Sequence, residues 1–266
     1  MANHFNPRPV SEPLSVGNVV SAGLRIYRDN FKIYYIEALK SYLWLIIPIY
    51  GWAKFAAIQG VIARLAFFEV METPESLTDA RRQVLPKLWR FLGLGILLFL
   101  IFVAFFAVFG ILIALLLVGT VTNAQSNIGA ALLLGLLSLA FMFIFLFAYI
   151  WLLSRLSFAD LGIAIDNVKE ITNAIGRSWK LTQGFVVKIQ IIFFIAFLIT
   201  LPFSAISNIG SVFLGDSNVG NLINLVLSIL LGALAIPFWQ SIKAVIYYDL
   251  LTRKEGLGLS LSDRAQ

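Results

Sequence analysis

"FLGLGILLFLIFVAFFAVFGILIALLLV", residues 91–118, decides the class of this chain. It contains no charged residue and no proline. A helix crosses the apolar part of a bilayer with roughly 20 such residues, and this run exceeds that length. Working outward, three more stretches qualify: 129–154, 185–203 with Pro202 at its end, and 221–248 with Pro237 inside. The composition agrees. The 266 residues are 60% hydrophobic and only 13% charged, with a mean hydropathy of +0.90. Soluble domains carry about 25% charged residues, so this chain has too much apolar surface for a soluble core and reads as integral to a membrane.

The region 31–70 is apolar and aromatic but holds Glu37, Lys40, Lys54 and Arg64. "IPIYGW" (47–52) places Pro48 and Gly51, both turn residues, at its centre. The expectation is two short helices in a tight hairpin, which brings the count to six spans. Loop charges support an even number. Residues 119–128 have no Lys or Arg, and 204–220 have only Asp216. The segment 71–90 holds Arg81, Arg82, Lys87 and Arg90, and 155–188 holds Arg155, Lys169, Arg177, Lys180 and Lys188. Arg8, Arg25, Arg28 and Lys32 lie near one terminus, and Arg253, Lys254 and Arg264 near the other. The positive-inside rule then puts both termini on the cytoplasmic side. The start, "MANHFNPRPVSEPLSVG", lacks the apolar core of a cleavable signal.

Three polar segments precede apolar ones. In 15–32, Asn18, Ser21, Arg25, Arg28 and Lys32 step by three or four along one helical face, with Val19, Gly23, Ile26 and Phe31 away from it. In 73–90, Thr73 with Pro74 signals a helix start and Pro86 a break. In 167–184, Asn167 and Glu170 have capping-box spacing. There Val168, Ile171, Ile175 and Trp179 oppose Lys169, Asn173, Arg177 and Lys180. Basic amphipathic helices of this kind lie in the headgroup layer. The helix ends also match. "RLAFFEV" (64–70), "RLSFADL" (155–161) and "AVIYYDL" (244–250) align without gaps, with an aromatic at Phe67, Phe158 and Tyr247 and an acid at Glu69, Asp160 and Asp249. The chain therefore reads as a threefold internal repeat, with units of about 15–70, 73–161 and 167–250. The expected fold is all-α: six transmembrane helices in three hairpins, each preceded by a cytoplasmic-side amphipathic helix. Residues 15–256 form one membrane domain between polar tails, 1–14 and 257–266.

"PLSVGNVVSAGLRIYRDNF" (13–31), "AIGRSWKLTQG" (174–184) and "YYDLLTRKEG" (247–256) resemble the glycerophosphoryl diester phosphodiesterase membrane-domain family. The resemblance covers nearly the whole chain, through short motifs of structural character. It implies a multi-helix membrane module, sometimes fused to a soluble phosphodiesterase barrel and often free-standing. That barrel uses histidines and a carboxylate-bound metal. This chain has no room for it and has only His4.

Three groups of residues are candidates for function. Glu69, Asp160 and Asp249, with Arg64, Arg155 and Arg253, read as acid–base joints that lock each hairpin to its basic collar. The competing reading is a carboxylate ring that binds a cation or a partner. Glu37 and Lys40, at i and i+3, can neutralise each other, and an ionisable pair in an apolar hairpin also points to a transport path. Arg25, Arg28, Arg177, Trp179, Lys180, Tyr247 and Tyr248 are expected at the lipid interface, where cations meet anionic headgroups and aromatics sit at headgroup level. No HExxH, P-loop or CxxC motif is present, there is no cysteine, and no catalytic, cofactor or metal residue is assigned. The basic residues form collars, which leaves no nucleic-acid surface. The expected function is a non-catalytic module that organises anionic lipid or a protein partner, with a homo-oligomer among the options. A small transporter or channel past Glu37 is the alternative, and a lipid-modifying enzyme the third. A prokaryotic-type inner membrane or a thylakoid fits the charge asymmetry.

Overall fold

The computed structural model describes residues 15–209, 213 and 217–256. The tails 1–14 and 257–266, and Asp216, lie outside the described residues. No strand occurs among those described. The helices are α1 (Val16–Asp29), α2 (Phe31–Trp44), α3 (Tyr50–Val70), α4 (Leu77–Val84), α5 (Leu88–Asn123), α6 (Ile128–Leu156), α7 (Ala159–Ala164), α8 (Ile171–Thr182), α9 (Val186–Ile206) and α10 (Asn218–Glu255). Four helical stretches are long and apolar enough to cross a membrane: Leu77–Asn123, Ile128–Ala164, Val186–Ile206 and Asn218–Glu255. These correspond to the four clear apolar runs and place the chain among membrane proteins.

Residues 31–70 form two helices, α2 and α3, joined by a short turn. Neither is among the four stretches that qualify as spans. With 14 residues, α2 reaches about 21 Å, short of a bilayer core of about 30 Å. Its turn is tight. Ile49 has φ +62°, and a Cβ built on Gly51 would lie 1.7 Å from the Trp44 carbonyl oxygen. Only glycine lets the two backbones approach this closely. The tip leaves Leu43, Ile46 and Trp52 exposed, Ile46 at 80%. Behind it, α2 buries Tyr34, Glu37, Ala38 and Ser41, which share one helical face.

Helix α3 and the inner half of α10 form the centre of the core. Helix α3 buries Ala57 to Ala63 without a gap, and α10 buries most of 237–251. Helix α1 lays Val19, Gly23 and Ile26 against them. Gly23 permits this contact, because a Cβ there would meet the Ile242 side chain at 2.6 Å. Helices α5 and α6 pair along their length, with a ladder of aromatics (Phe102, Phe105, Phe109, Phe145, Tyr149) between them. Only Phe91 and Leu94 of α5 are buried. The apolar face left uncovered is what a helix in hydrocarbon presents.

Two local expectations are corrected. Thr73 is not the cap of α4. Its N–H donates to the Phe68 carbonyl (3.0 Å), and Glu72 at φ +57° closes a left-handed stop to α3. Ser76 caps α4 instead, accepting from Asp79 N–H at 3.1 Å. Asn167 has φ +56° and does not cap α8, whose start at Glu170 has no side-chain cap. Pro86 acts as expected, in a 3-10 turn Leu85–Lys87 between α4 and α5.

Candidate functional site

The ends of α3, α6 and α10 meet α7 and α8 through polar and aromatic contacts that involve several of the expected site residues. Tyr247, expected at the headgroups, is fully buried, and Tyr248 is nearly so. The Tyr247 ring packs on Phe67 (centroids 6.0 Å) and on Phe158 (6.3 Å). The three aromatics of the matched helix endings therefore meet around one ring. The Tyr247 hydroxyl is bound to Asp166, as is Arg177. Arg177 also reaches Glu255 at 3.0 Å. Burial works against its charge, yet Tyr247, Glu255 and Asp166 hold that charge, and its pKa stays above the ordinary arginine value. Arg177 is thus half-buried between α7, α8 and α10 rather than free at the surface.

Of the acids, Asp249 has the expected partner, Arg253, at 3.0 Å, and takes Lys188 at 2.8 Å as well. Asp160 pairs with Lys243 at 2.5 Å, and Glu69 accepts from the Asn30 amide at 3.1 Å. The expected bases go elsewhere. Arg64 clamps Glu75 at 2.7 and 3.1 Å and donates to the Ala164 carbonyl at 2.9 Å. Lys87 donates to the Ile163 carbonyl at 3.1 Å. Both cations meet the C-terminal end of α7, where free carbonyls attract positive charge. Arg155 donates to the Trp179 carbonyl at 2.9 Å, and its guanidinium lies 5.0 Å from the Trp179 ring and 5.3 Å from that of Trp151.

Glu37 and Lys40 pair as expected, at 3.2 Å. Arg81 of α4 adds a second cation, its Nε donating to Glu37 at 3.1 Å. The Glu37 side chain is 2% exposed, so α4 seals it. Ser41, one turn on, accepts from the Gln59 amide at 3.1 Å. Arg81, Glu75, Asp166, Lys188, Lys243 and Asn30 were not selected from the sequence. Their partners lie 11 to 83 residues away, on other elements, beyond any spacing rule.

Several cations stay outside this network. Lys32, Arg82, Lys169 and Lys180 have exposed side chains and no ion pair among the described residues. Among the described residues, Arg28 pairs with its neighbour Asp29 alone, in the open. Arg25, on the same helix, is exposed yet has a contact of its own. Trp179 is 37% exposed. No group of three or more His, Cys, Asp or Glu suited to a metal occurs among the described residues. No family model, no curated protein and no solved structure matches the chain.

Proposed function

We propose that this chain is a membrane-embedded module that gathers anionic lipid around a rigid, ion-paired base and does no covalent chemistry itself. One observation carries the reading. The amphipathic helices bury their apolar faces on the span roots, while Lys32, Arg82, Lys169 and Lys180 are exposed and without acidic partners among the described residues. Each such cation near an anionic surface contributes about 1 kcal/mol. The resemblance to the phosphodiesterase membrane-domain family favours the same kind of module.

The threefold repeat belongs to this proposal. Its support is the meeting of Phe67, Phe158 and Tyr247, together with the three acids each held by a nitrogen donor. For topology we favour four crossings over the six expected. Tyr50, at the hairpin tip, touches Trp89 in the first turn of α5 (6.4 Å). The tip then sits beside the charged entrance of that span, and the hairpin lies at the inner interface. Four crossings also keep both termini on the basic, cytoplasmic side.

The test is lipid enrichment. The chain is placed in nanodiscs of mixed phosphatidylglycerol and phosphatidylcholine, and the co-purifying lipid is measured. Changing Lys32, Arg82 and Lys180 together to Gln is expected to lower the anionic fraction several-fold; an unchanged ratio overturns the reading. A second reading, a polar path past Glu37 and Lys40, draws on the buried run of Glu37, Ser41 and Gln59. Its signature is ion flux in proteoliposomes that Gln59→Leu abolishes.

A further inference from the structure

We propose that the cleft between α2, α3 and α4 is a specific site for the phosphate of one anionic lipid, with an acyl chain lying along the hairpin tip. The cleft holds about 480 Å³, in the range of small-ligand sites. Three cations line it, Lys40, Lys54 and Arg81, against one carboxylate, Glu37. Two positive charges are left over. Glu37 takes Lys40 on one oxygen and Arg81 on the other, which fixes both cations at the rim, where they are 54% and 40% exposed. Lys54 is different. It is half-buried, has no acidic partner among the described residues, and rests on the Trp44 ring at 3.5 Å. The Trp44 ring face attracts the ammonium without neutralising it, so the positive charge remains, and a bound phosphate supplies its counter-charge.

The rest of the lining selects a lipid over a free anion. Leu43, Trp44 and Ile47 continue the cleft onto the exposed apolar tip. A soluble phosphate has no use for that surface, whereas an acyl chain covers it. The proposal rests on the anionic-lipid reading above but assigns the lipid to a different set of cations, so the two can fail separately.

The full chain in the same nanodiscs is analysed by native mass spectrometry for lipid that survives delipidation. Wild type is expected to retain one phosphatidylglycerol per chain and no phosphatidylcholine. Lys54→Gln is expected to weaken that retention about fivefold, the share of one cation, and Lys54→Arg to restore it. The Lys32, Arg82 and Lys180 variant is expected to keep the bound lipid while losing bulk enrichment. If that variant loses enrichment and Lys54→Gln retains its lipid undiminished, the site is wrong and the general reading stands. If neither changes, both are wrong. Millimolar inorganic phosphate is expected to leave the lipid in place; displacement by it overturns the assignment to a lipid.

Discussion

The acids show why residue spacing alone misassigns partners. Arg64 with Glu69, and Arg155 with Asp160, are five residues apart. On α3 that turns Glu69 about 140° away from Arg64, while Arg155 and Asp160 are parted by the break between α6 and α7, so neither pair meets. Asp249 and Arg253 are four apart, share a face, and meet. The acids themselves were legible from the repeated endings, and so was the Glu37–Lys40 pair. Their remaining partners were not, because Lys243, Arg81 and Asn30 come from other parts of the chain. Asp160 and Lys243 are mostly covered, at 23% and 15% exposure. Removing one leaves the other partly buried and unpaired. Asp160→Asn and Lys243→Gln are each expected to cost about 1–2 kcal/mol, and the double variant less than the two together. Thermal unfolding in detergent across the four proteins measures this; strict additivity would mean the pair does not couple.

Elements were readable where apolar runs are long and uninterrupted, because few alternatives satisfy the backbone in lipid. Their junctions were not. Thr73-Pro74 has the composition of a helix start, but the chain uses Thr73 to finish α3 and Ser76 to begin α4. Ser76→Ala is therefore expected to cost about 1 kcal/mol, and Thr73→Ala, whose side chain caps nothing in α4, much less. The hairpin gives a sharper test. Gly51→Ala would put a methyl inside the Trp44 carbonyl, so α2 and α3 must separate. It is expected to lower the detergent melting temperature by several degrees and to yield an aggregation-prone product. Gly95 in α5 has nothing within 4 Å of a built Cβ. Gly95→Ala is expected to be neutral, or to stabilise by up to about 1 kcal/mol through helix propensity. If both variants melt alike, close approach at the hairpin is not what Gly51 provides.

At the scale of the whole molecule, the count of crossings turns on where the hairpin tip lies. Aromatic and apolar richness in 31–70 favoured a full double crossing, but hydropathy cannot separate a helix that spans from one that lies at the interface. Length and neighbours can. Helix α2 is too short to cross unaided, and the tip meets Trp89 among the cations that open α5. The chain contains no cysteine, so single-cysteine variants report one position each. In right-side-out vesicles, Ser126→Cys, in the loop between α5 and α6, is expected to react with an impermeant maleimide added outside. Glu72→Cys, after α3, is expected to react only once the vesicles are opened. Ile46→Cys, at the tip, separates the two topologies. An interfacial hairpin leaves it unlabelled from outside, and bromine-bearing lipid brominated near the headgroup should quench a fluorophore attached there. A hairpin that crosses twice exposes Ile46→Cys to the outer reagent together with Ser126→Cys. That labelling pattern would restore six crossings; it would also part the hairpin tip from Arg81 of α4, and with it overturn the proposed lipid cleft.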